Sequence, residues 1–66
     1  MCEATVFLAE GGRESKVMEN VVALHLDDGE VLLNDLLGEQ KVMRAQVRAI
    51  DFVRQRVVLE RLPRAE

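Results

Sequence analysis

Apolar and polar positions alternate along this chain in short runs, and turn-forming residues separate the runs roughly every ten positions. Ala4-Thr5-Val6-Phe7-Leu8-Ala9 is β-branched and aromatic enough for a strand. Glu10-Gly11-Gly12 ends it, because paired glycines reach positive φ without steric cost. The polar segment from Glu14 to Asn20 carries Val17 and Met18 and fits either a short strand or a loop returning to the sheet. Val21-Val22-Ala23-Leu24-His25-Leu26 has the clearest strand pattern, with Val22, Leu24 and Leu26 on one face and Val21, Ala23 and His25 on the other. Asp27-Asp28-Gly29-Glu30 then predicts a hairpin, since Asp-Gly suits a type I′ turn. Val31-Leu32-Leu33-Asn34 is its return strand.

Asn34-Asp35-Leu36-Leu37-Gly38-Glu39 admits one helical turn stopped by Gly38, or a wide hairpin loop with its apolar residues folded under. The loop is favoured, because so short a helix has no stability without tertiary support. From Lys41 to Ala49, Ala45, Val47 and Ala49 face one way and Arg44, Gln46 and Arg48 the other, as in a half-buried strand. Ile50 breaks that phase and predicts a bulge or a strand end. Asp51 to Gln55 reads as a reverse turn, and Arg56-Val57-Val58-Leu59-Glu60 as the last strand. Pro63 stops the ladder, having no N–H to give, and Arg64-Ala65-Glu66 reads as a frayed tail. The whole, residues 1–66, is one all-β domain of about five short strands, a small antiparallel barrel or sandwich.

Size changes the picture next. A 66-residue chain buries only about 60% of its unfolded surface and is marginal alone. Such scaffolds need a disulfide, a metal or a partner chain, and one cysteine cannot make an internal disulfide. A homodimer would lengthen the sheet and supply the missing core. Only Phe7 and Phe52 are aromatic, so the core is expected to be aliphatic. A net charge of −3 and a pI near 5.1 argue against a nucleic-acid binder, which usually shows a basic face and aromatic platforms. A basic face here would have to gather Arg13, Lys16, Arg44 and Arg48. No secretory signal is visible, and no apolar stretch approaches the roughly 20 residues that span a bilayer. A free thiol without a pairing cysteine fits a reducing cytoplasm.

The candidate chemistry lies at the start. Cys2 is next to the chain's N-terminal amine. If Met1 is removed, as the small side chain at position 2 favours, thiolate and amine close a five-membered chelate on one metal ion. If Met1 stays, its amine can join the Cys2 amide nitrogen and sulfur. Sulfur with strong nitrogen donors in a flat array suits Ni(II) or Cu(II). One chain offers too few ligands, whereas two chains, each giving one nitrogen and one sulfur, close the site. The plainer alternative is that Cys2 is a small buried hydrophobe. Glu3 either tunes the site from beside it or is simply solvated. His25 offers an imidazole, but its mid-strand place favours a structural or surface role. Met18 and Met43 are expected to fill gaps in the core. Asp27, Asp28 and Glu30 are accounted for by the turn, and Asp35, Glu39 and Asp51 are too scattered for an acid/base pair. No Ser/His/Asp or Cys/His arrangement exists, and Gly11-Gly12 lacks the Lys-Ser/Thr of a phosphate loop. An enzyme is therefore not expected.

Met1-Cys2-Glu3-Ala4, then Val17-Met18-Glu19-Asn20-Val21-Val22, then Leu33 to Glu39, Ala49-Ile50-Asp51 and Arg56 to Glu60 resemble the CooT-type small nickel-binding proteins in order and spacing. Some members of that family carry the label of predicted RNA-binding protein. The resemblance covers nearly the whole chain. It implies a homodimer of SH3-like antiparallel barrels of about five to seven short strands, similar also to the HypC-type maturation chaperones. It implies Ni(II) bound through Cys2 and N-terminal backbone nitrogens, and a role in nickel handling tied to maturation of carbon monoxide dehydrogenase. Only Cys2 carries over as a ligand by residue type. The alternatives are a small RNA-binding barrel and a metal-free protein-interaction adaptor.

Overall fold

A computed structural model describes residues 2–63. Met1, whose amine is one candidate donor, and the tail Arg64 to Glu66 lie outside the described residues. Five strands follow one another: β1 (Ala4–Glu10), β2 (Arg13–Asp27), β3 (Glu30–Asp35), β4 (Gln40–Asp51) and β5 (Arg56–Arg61). They close into a barrel in chain order, each antiparallel to the next. The closing pair, β1 with β5, is parallel. The small antiparallel barrel expected from the sequence is formed, and its one parallel pair follows from parity. Direction alternates through successive hairpins, so an odd number of strands returns to the first one pointing the same way.

Both tight hairpins use the turn chemistry their residues dictate. Gly11 and Gly12 have φ of 59° and 79°, and Asp28 and Gly29 have φ of 52° and 79°. Two consecutive positive φ values define the type I′ turn, whose twist matches the flanking strands.

The segment Glu14 to Asn20 is strand, part of the 15-residue β2. A straight strand of that length would run about 50 Å, longer than the molecule's greatest extent of 40 Å. β2 therefore bends. Its first half pairs with β1 and its second with β3. At the corner Asn20 takes φ 56°, and the register shifts between Val21 and Ala23. The extra residue reverses the expected face: Val21 is buried, while Val22 is 46% exposed. Leu24 keeps its inward place, packing on the edge of the core. In β4 the register shifts between Val47 and Ala49, so the phase breaks at Arg48, before Ile50, and the strand continues to Asp51.

The β3–β4 connection is the wide loop, but its leucines are not folded under. Leu36 and Leu37 are exposed, because the Asp35 carboxylate organises the inside of the loop. Its Oδ1 accepts the backbone N–H of Leu37 at 2.9 Å and of Glu39 at 2.8 Å. The core is aliphatic as expected. Val6, Val31, Leu33 and Leu59 are fully buried, and Leu8, Met18, Val21, Ala45 and Val57 complete it. Phe7 packs outside it, with the Arg56 guanidinium 4.3 Å from its ring centroid. Arg56 also pairs with Glu14 at 2.6 Å, and Arg61 with Glu10 at 2.9 Å, across the outer surface of β5, β1 and β2. Partly exposed pairs of this kind contribute about 0.2–1 kcal/mol each.

Candidate metal centre

The parallel closure decides where Cys2 lies. β1 and β5 start at the same end of the barrel and β4 finishes there, with Thr5 beside Arg56 and Asp51 across from Arg56. Ala4 pairs with Val21 at the bend of β2. Four elements thus meet around an open mouth of about 450 Å³. Val21 and Val57, both nearly buried, form its floor. Leu24, Ile50 and Phe52 form its walls, and Cys2 and Glu3 stand at its rim.

Cys2 is exposed, so it is not the small buried hydrophobe of the plainer reading. It lines the mouth together with apolar residues of four elements. Glu3 is half-buried beside it and also lines the mouth. His25 is elsewhere: it pairs with Leu32, on a row facing away from the buried Val31 and Leu33. It is exposed and does not line the mouth. Met18 is in the core and Met43 packs against it, as gap-filling methionines do. Asp27, Asp28 and Glu30 belong to the β2–β3 turn and strand start, all exposed. Among the described residues no three His, Cys, Asp or Glu side chains come together to hold a metal. The mouth therefore offers one soft donor per chain, and a closed metal site requires further ligands from the backbone and from a second chain.

A larger hollow of about 570 Å³ lies on the other side of the β4–β5 turn, between Glu14, Phe52, Val53 and Arg56. Its charged groups are already matched, Arg56 with Glu14 and Arg54 with Asp51, and it contains no soft donor. The sequence reading missed Phe52 and Val53 as part of the site's surroundings. Both stand out in the turn at 83% and 95% exposure. The available signal was an apolar pair in a reverse turn, where polar residues are the rule.

Among the described residues no helix is long and apolar enough to cross a membrane. A search of curated proteins found no match. The family model described as CooT, CO dehydrogenase accessory protein, matches residues 1–60. Among solved structures, a crystal structure described as a candidate CooT from Carboxydothermus hydrogenoformans is 32% identical. It covers 94% of this chain and 100% of its own, with a TM-score of 0.87. The alignment therefore includes nearly all of the barrel as well as its sequence. This chain belongs to the CooT family of CO dehydrogenase accessory proteins, an accessory protein rather than a catalyst.

Proposed function

We propose that two copies of this chain hold one Ni(II) ion between them, in the cytoplasm, for maturation of carbon monoxide dehydrogenase. Cys2 of each copy supplies a thiolate and the N-terminal backbone supplies nitrogen. The observation that carries this reading is the exposed Cys2 at the rim of the mouth, next to the chain's N-terminal nitrogens. A zinc ion would take the same four donors as a tetrahedron. Two thiolates with backbone nitrogens suit a flat nickel field. Glu3, at the same rim, adds negative charge near the cation without being required as a ligand. Holding the donors at the surface leaves the ion accessible for transfer to a client.

The test is a nickel titration of untagged protein, followed by absorption spectroscopy and native mass spectrometry. One Ni(II) per two chains with thiolate charge-transfer bands is expected. Cys2→Ser should abolish tight binding with an unchanged circular dichroism spectrum, since the side chain lies outside the core. Undiminished affinity in that variant would remove Cys2 from the site. Absence of binding below millimolar nickel would remove the metal reading altogether.

A further inference from the structure

Lys41 stands where the strand pattern calls for an apolar residue. It is opposite the fully buried Leu33, which is in turn opposite Leu24. Side chains directly opposite one another share a face. Lys41 therefore begins the inward row of β4 that continues through Met43 and Ala45. A charge on that row has to leave the core, and this one leaves toward β2. Its Nζ donates to the Val17 carbonyl at 3.0 Å, across 24 positions of chain. Val17 belongs to the half of β2 that has a single neighbour. Arg13 to Lys16 and Met18 pair with β1, and β3 joins only from Val21 onward. The outer side of this half faces no strand among the described residues. The tight hairpin fixes which groups lie open there. Glu10 and Arg13 flank its two-residue turn and form the first hydrogen-bonded pair. Such pairs alternate along an antiparallel ladder, so Ser15 also turns its backbone groups to β1. Glu14 and Lys16 turn theirs outward. Farther along, the Leu36 N–H donates to the Asn20 carbonyl at 2.9 Å. The Lys41 ammonium thus sits where the open edge meets the β3–β4 loop.

An open edge is a template for another extended chain, and an inward-pointing charge is one way a sheet blocks it. We propose that Lys41 guards the open edge of β2 against strand-to-strand pairing. Its ammonium takes the carbonyl that a second chain would bond, and it puts a hydrated charge in that chain's path. The partner held off is a second copy of this chain, pairing through the same edge. The edge is self-complementary in register. In an antiparallel, two-fold pairing centred on Ser15, the outward backbone groups of Glu14 meet those of the partner's Lys16, and the reverse. This edge runs on from the Gly11–Gly12 hairpin, at the opposite end of β1 from Cys2. The guard is therefore independent of the metal reading.

The test compares metal-free Cys2→Ser protein with the same protein carrying Lys41→Gln, by sedimentation velocity over a concentration series. The Cys2→Ser background keeps thiol and metal chemistry out of the comparison. Glutamine is one bond shorter than lysine and adds no apolar surface. The change also makes a net charge of −3 one unit more negative, so repulsion alone would reduce association. Lys41→Gln should instead form larger species than its parent. They should appear at about tenfold lower concentration, the scale of one or two hydrogen bonds gained. Lys41→Arg, which keeps the reach and the charge, should behave as the parent. Adding Lys16→Pro to Lys41→Gln should return it to the parent's profile, because proline offers a second strand no N–H and the Lys16 N–H points away from β1. Lys41 is exposed, and Lys41→Ala repeats the comparison if circular dichroism shows that Lys41→Gln disturbs the fold. A profile unchanged from the parent's in the folded variant overturns the guard. So does association that persists when Lys16→Pro is added.

Discussion

Single side chains in this barrel divide sharply by what they touch. Leu33 is fully buried, while Val22, on the neighbouring strand, is half in water. A chain of this length has roughly 3–10 kcal/mol of stability in all. Truncating a buried leucine costs about 2–5 kcal/mol. Leu33→Ala should therefore unfold much of the protein, whereas Val22→Ala should stay within about 0.5 kcal/mol. Urea denaturation of the two variants checks this, and the reverse ranking would contradict the bulge that turns Val22 outward. Cys2 belongs to the exposed class despite a residue type that prefers burial.

Elements are where charge takes part in shape. The Asp51 carboxyl is held below its ordinary range, first by the Arg54 backbone N–H and then by the Arg54 guanidinium. A carboxyl depressed in the folded state stabilises it above the unfolded value of about 3.9, and that contribution is lost as pH falls through the folded value. The β4–β5 turn should thus be tight at neutral pH and loosen in acid, below the usual carboxylate range. Amide exchange at Arg54, followed by NMR, should speed up there, while Asp51→Ala should exchange fast already at neutral pH. An Arg54 amide equally protected in both proteins would remove Asp51 as the anchor of the turn. The two glycine-bearing hairpins were legible because Gly-Gly and Asp-Gly state their turn type directly. The β4–β5 turn was legible as a turn, but its internal order was not, since that depends on where the Asp51 oxygens fall.

The whole molecule, at 40 × 24 × 15 Å, is a thin barrel with a small aliphatic core and a large apolar patch at one end. Anything that binds the folded form alone adds to its stability by mass action. If a second copy covers that patch, melting becomes concentration-dependent. For two coupled chains of this length, tenfold dilution should lower the Tm by about 5 °C. A Tm independent of concentration from micromolar to millimolar would show that the barrel melts as a single chain.

The sequence by itself determined the number of strands, both tight hairpins, the aliphatic character of the core and the one soft donor at Cys2. Each follows from local rules: alternation, positive-φ glycines, and the chemistry of a thiol beside an amine. It also carried the CooT resemblance, because the matching segments keep their order along the chain. The parallel closing pair, the bends at Asn20–Val22 and Arg48, and the outward leucines of the β3–β4 loop were decided only in three dimensions. They arise because five strands must close a ring, and because a 15-residue strand must turn a corner to serve two neighbours. The mouth is of the same kind. Cys2, Val21, Ile50, Phe52 and Val57 are scattered along the chain, and only barrel closure brings them to one end.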